Sequence, residues 1–134
     1  MKHRSLVDAV FPWVLLALVI GFNISEGSWS EGIRRFLGYA VVYPTLEELT
    51  FRGWCQTLFL KTSLFSNRCL GISPANLLTS ILFVLVHLLV RGQIIVLLVF
   101  FPSLLLGWVR EKTGSVRSSI LLHSLMNIFY FNVS

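Results

Sequence analysis

Apolar positions in this chain gather into long runs instead of alternating with polar ones. Five runs stand out: Leu6–Asn23, Ile33–Lys61, Pro74–Val90, Gln93–Val109 and Val116–Phe131. Each is too long and too weakly alternating for a barrel strand. About 20 apolar residues in a helix cross a bilayer core, and continuous apolar chain in lipid must be helix or closed barrel. The pattern therefore predicts an all-α, polytopic membrane helix bundle of about five transmembrane helices, with residues 1–134 as one domain. Polar links separate the runs: ISEGSWSEG, TSLFSNRCLGISP and REKTGSVR.

Local signals sharpen the boundaries. Ser73 before Pro74 reads as an N-cap followed by proline at the first helical position. Arg91-Gly92 closes the third run with a short turn. The second run exceeds what a span needs, so it tilts, begins as an interfacial piece around Arg34–Leu37, or breaks near Pro44. The fourth run contains Pro102. The opening MKHRSLVDAVFPWVLLALVIGF has the basic start of a signal peptide but no small-residue cleavage site, and reads as a retained span.

Composition agrees with this picture. Hydrophobic residues make up 55% and charged residues 13%, against about 25% charged in soluble domains. The net charge of +5 sits between the apolar runs, with no basic stripe of the kind nucleic acid requires. It reads as topology. With the N-terminus cytoplasmic, the inside holds Lys2, Arg4, Lys61, Arg68, Arg110, Lys112 and Arg117, and the outside Arg34, Arg35 and Arg91. That excess favours a cytoplasmic N-terminus in an integral membrane protein. Cys55 and Cys69 have no metal-type spacing and read as free thiols. Trp13, Trp29, Trp54 and Trp108 fit interface anchoring or packing. Gly53 and Gly107 suit close helix contact. The stretch FFPSLLLG in the fourth run has no ionisable group and reads as scaffold or substrate wall.

The exceptions inside the runs carry the chemistry. YPTLEELTFRGW holds Glu47, Glu48 and Arg52; the third run holds His87; the fifth holds His123 and Asn127. Ionisable residues at membrane depth are costly and usually mark a site. Glu48 and Arg52 are four apart and share a helix face. Glu47 points about 100° away. Phe83 and His87 share a face, as do His123 and Asn127. At ~1.5 Å per residue, Glu47 lies about 21 Å and His87 about 20 Å from the cytoplasmic ends of their helices, His123 about 10 Å and Asn127 about 17 Å. All can meet in one layer. A carboxylate there can take a proton from water, and histidine and amide groups can donate to an oxyanion. These are parts of a hydrolase. Glu47, His87 and His123 also form a donor set that suits a divalent metal such as zinc. A buried structural ion cluster, interhelical hydrogen bonding and a proton relay remain alternative uses of the same residues.

The three motifs, Glu47-Glu48-x-x-x-Arg52, Phe83-x-x-x-His87 and His123-x-x-x-Asn127, resemble the CPBP family. That family comprises the type II CAAX prenyl endopeptidases and their bacterial relatives, the glutamate-type intramembrane proteases. The resemblance covers about Arg34 to Asn132. It implies an intramembrane endopeptidase in which Glu47 activates water and His87 helps hold it. His123 and Asn127 would stabilise the oxyanion, and Glu48 and Arg52 would form an orienting pair. It implies no required cofactor, with a divalent metal left open. The implied partners are the bilayer and a membrane-anchored peptide or protein substrate, such as one with a C-terminal sorting signal or a lipidated tail. A relative that keeps the pocket but serves as an immunity, maturation or interaction factor is the alternative.

Overall fold

The computed structural model describes residues 30–69 and 71–133; the first apolar run, Leu6–Asn23, lies outside them. Among the described residues there is helix and no strand, apart from an isolated bridge between Cys69 and Ile72. Cys55 and Cys69 are free thiols.

Helix α1 covers residues 30–60. It starts as α-helix at Ser30–Leu37, widens to a π-turn at Gly38–Val42, and returns to α at Tyr43–Glu48. It widens again at Leu49–Cys55 and finishes as α at Gln56–Leu60. The break considered at Pro44 does not occur. Proline has no N–H to offer, and its ring crowds the carbonyl four residues back. The π-turn lies just before it, with the Tyr43 N–H reaching the Gly38 carbonyl, and the wider turn relieves that crowding.

Helix α2, Pro74–Arg91, starts as the sequence predicts: the Ser73 hydroxyl accepts from the Asn76 N–H at 3.0 Å, and Pro74 follows. It ends at Gly92, whose φ of 64° is readily adopted only without a Cβ. Helix α3, Ile94–Thr113, is 3-10 over Ile94–Val99 and α from Phe100. Pro102 falls in the first turn of the α portion, just after the change from 3-10 to α. The helix runs past the expected end at Val109 to Thr113, which brings Glu111 into it. Helix α4 is Val116–Val133. By length and composition α2 and α3 can each cross a membrane.

The chain divides into two compact units, residues 30–46 with 124–133, and Glu47–His123. In the first, the Asn127 amide donates to the Tyr39 carbonyl at 2.9 Å, and Tyr39 meets Tyr43 edge-on at 5.6 Å between ring centroids.

The second unit is built inside out relative to a soluble domain. Glu48, Arg52, Gln56, Thr79, Ser80, Ser103 and Ser119 are 0% exposed, whereas Leu89 is 85% and Phe101 67% exposed. Water as the surrounding solvent would favour the reverse. Helices are held by side chains reaching backbone: Asn76 donates to the Leu104 carbonyl at 3.0 Å, and Ser119 to that of Leu106 at 2.9 Å. Such bonds suit an apolar solvent, where hydrophobicity gives helices no reason to associate.

Gly107 makes the α2–α3 approach possible. A Cβ there would sit 2.5 Å from Asn76 Cγ and closer still to its Oδ1. Gly107→Ala must displace Asn76 from its bond to Leu104, and should destabilise by about 1–3 kcal/mol. At Gly53 a Cβ would meet only ordinary contacts at 3.8 Å, so Gly53→Ala should stay within about 0.5 kcal/mol. Melting temperatures of the two variants in one detergent check the contrast; equal losses would contradict it.

Candidate active site

Glu47 and Glu48 close the α stretch Tyr43–Glu48 of α1, directly before its second π-turn. Glu48 is fully buried on the inner face of α1. Its Oε2 lies 3.3 Å from Arg52 Nε, and both side chains are 0% exposed. Arg52 is held from a second side as well. Its Nη2 donates to the Ser103 carbonyl at 2.6 Å and to the Ser103 hydroxyl at 2.7 Å. Its cation also lies over the Phe83 ring, 5.0 Å from the centroid, an attractive placement for a desolvated guanidinium. The pair predicted from the four-residue spacing is thus present and has a base on α3.

The other oxygen of Glu48 is engaged with the site. His123 Nδ1 lies 3.0 Å from Glu48 Oε1. A carboxylate accepts, so Nδ1 carries the proton and Nε2 is turned the other way. Nε2 faces Glu47 Oε2 at 3.7 Å.

His87 is fixed in the same manner. Its Nδ1 donates to the Phe83 carbonyl at 2.9 Å, leaving Nε2 to face Glu47 Oε1 at 3.7 Å. Phe83 stacks on the His87 ring at 4.2 Å and meets His123 edge-on at 6.2 Å. One apolar side chain therefore orients both imidazoles and carries the arginine. Glu47 itself is 27% exposed, against 0% for Glu48. The two adjacent carboxylates have separate environments, as the 100° rotation predicts.

The structure thus brings together Glu47, Glu48, Arg52, His87 and His123 within the unit Glu47–His123. Asn127 belongs to the other unit, where it is bonded to Tyr39.

Three further polar residues, which the sequence motifs do not include, are part of the support. Ser103 is a lone serine in an apolar run and carries no signal by itself. Gln56 lies four residues beyond Arg52, so extending the face Glu48–Arg52 by one more turn would have found it. Glu111 falls in the polar stretch REKTGSVR, yet its side chain is only 2% exposed. It accepts from Gln56 at 2.8 Å, from the Ser73 hydroxyl, and from Arg68 Nε at 3.2 Å.

A metal would need Glu47, His87 and His123 as ligands. Both Nδ1 atoms have the outer partners that metal-bound histidines usually have. Yet among the described residues no three His, Cys, Asp or Glu side chains are grouped so as to hold a metal ion. As arranged, the three do not fit one. What they form is a carboxylate whose two oxygens each face an imidazole nitrogen across a gap longer than a hydrogen bond.

A family model described as type II CAAX prenyl endopeptidase Rce1-like matches residues 29–129. No curated protein and no solved structure gives a match.

Proposed function

This chain belongs to the Rce1-like type II CAAX prenyl endopeptidase family, and from that premise we propose that it is an intramembrane endopeptidase in which Glu47 activates the hydrolytic water. The observation that carries the reading is the pair of 3.7 Å separations between the Glu47 oxygens and the two Nε2 atoms. A polar pair at that distance is the place to look for a bridging water. With the His87 proton held on Nδ1 by its bond to the Phe83 carbonyl, Nε2 accepts. One water can then donate to both Glu47 Oε1 and His87 Nε2, which turns its lone pairs toward a substrate carbonyl.

The steps follow from these positions. Glu47 takes a proton from the water as the oxygen attacks the scissile carbonyl. His123 offers the substrate only Nε2, because Glu48 holds Nδ1. That nitrogen donates to the tetrahedral oxyanion when the ring carries both protons. Glu47 then returns its proton to the leaving amine. Arg52 and Ser103 act at one remove, by holding Glu48 and through it His123.

The surroundings proposed for this chemistry are a bundle of about five spans with a cytoplasmic N-terminus in a prokaryotic plasma membrane. The Lys and Arg distribution supports the orientation, and the buried polar interior beneath exposed apolar residues supports the lipid setting. The substrate class is a membrane-anchored peptide or protein with a C-terminal sorting signal or lipidated tail. This mechanism requires no cofactor, and exhaustive chelation tests for a divalent metal such as zinc.

The expected results with folded, purified protein and a cleaved membrane peptide are these. His87→Ala and His123→Ala each lower the rate by about 100-fold or more. Exhaustive chelation leaves the wild-type rate unchanged. Wild-type rates in both histidine variants would sink the reading. Loss of activity on chelation, restored by zinc, would replace Glu47-activated water with a metal-bound one.

A further inference from the structure

Among the buried polar atoms without a protein hydrogen bond are Glu48 Oε2 and Arg52 Nε, which face each other as an ion pair at 3.3 Å, and Arg52 Nη1 and Gln56 Oε1. Arg52 and Gln56 are both 0% exposed. They are four residues apart and so lie one turn apart on the same face of α1. Nη1 is a donor and Oε1 an acceptor.

Neither side chain is free to turn toward a different partner. Arg52 is fixed by Glu48 through Nε and by Ser103 through Nη2. Gln56 Nε2 is fixed by two acceptors, Glu111 Oε1 at 2.8 Å and the Gly107 carbonyl at 3.3 Å. Flipping the Gln56 amide would set its oxygen against both acceptors, the Gly107 carbonyl and Glu111 Oε1, so the orientation of Oε1 is determined. An orphaned donor and an orphaned acceptor in an apolar surrounding are each costly. Ordered water commonly satisfies such pairs and then becomes part of the structure.

We propose that one internal water molecule is bound between Arg52 and Gln56, accepting from Nη1 and donating to Oε1. It joins two polar clusters into one file: Glu111, Gln56, the water and Arg52, then Glu48 through its ion pair with Arg52, and His123. Gln56 and Glu111 then act as positioning residues for His123, although neither touches substrate. The effect on catalysis rests on the function proposed above; the water site does not.

The test uses the full chain crystallised from a lipid phase, at a resolution that shows ordered water. Wild-type density should contain one water about 2.7–3.2 Å from both Nη1 and Oε1. A direct Arg52–Gln56 hydrogen bond, or no density between them, overturns the site whether or not the protein proves to be a protease. In Gln56→Met, which keeps length and removes the acceptor, the water should be lost. The value of kcat should fall about 10-fold with KM unchanged, as expected when a reacting group is slightly misplaced. An unchanged kcat after loss of the water overturns the positioning role.

Discussion

Glu47→Gln should reduce peptide cleavage by about 10²–10⁴-fold, the range associated with loss of a general acid–base group, while leaving the protein as stable as wild type. Gln has the same shape as Glu and keeps a dipole toward both imidazoles, but it cannot take a proton from water at neutral pH. Stability is spared because Glu47 is 27% exposed and stands 3.7 Å from each histidine, too far for direct hydrogen bonds that the fold would depend on. Turnover and melting temperature measured on the same preparation check both halves. Cleavage at near-wild-type rate would remove Glu47 from the mechanism. Equal losses of stability and activity would make it a structural residue.

The adjacent glutamate pair should behave in the opposite way. Arg52→Ala leaves the Glu48 carboxylate fully buried with no countercharge. Breaking such a pair typically costs about 3–5 kcal/mol. Replacing both members with apolar residues of similar length removes the stranded charge, and such replacements are often neutral. Glu48→Met combined with Arg52→Met should therefore recover most of the stability lost in Arg52→Ala. It should not recover cleavage, because His123 Nδ1 has lost the oxygen that holds it at 3.0 Å. Denaturation curves of the three variants, with activity on each, test this. If the double variant is as unstable as Arg52→Ala, burial of an uncompensated charge is not the reason.

The contrast explains what was legible in the sequence. A glutamate or histidine in an apolar run is conspicuous, because its cost in lipid demands a reason. Four-residue spacing then tells which of two neighbours pairs with Arg52. The N-cap at Ser73 and the close approach at Gly107 were legible for similar reasons, each resting on one residue type with a narrow set of uses. Gly53 shows the limit: the same small residue in a similar run marks no close contact. Helix ends were less legible. Charged residues in REKTGSVR read as a link, but Glu111 is paired with Arg68 and bonded by Gln56 and Ser73, and so lies buried inside α3. Its partners come from three places distant in sequence, so no local pattern announces them. The π-turns of α1 were not legible either, since Pro44 predicts disturbance without specifying that a wider turn absorbs it. Ser103 became visible only once α3 was seen against Arg52.

The central claim is that Glu47 makes this chain a protease, and peptide termini in the membrane test it most directly. Termini would be compared between cells holding the wild-type protein and cells holding Glu47→Gln at equal level in the membrane. The account predicts a set of new termini in membrane-anchored proteins that is present with the wild type and lost in the variant, with the uncleaved precursors accumulating in their place. Identical termini in the two membranes would contradict it.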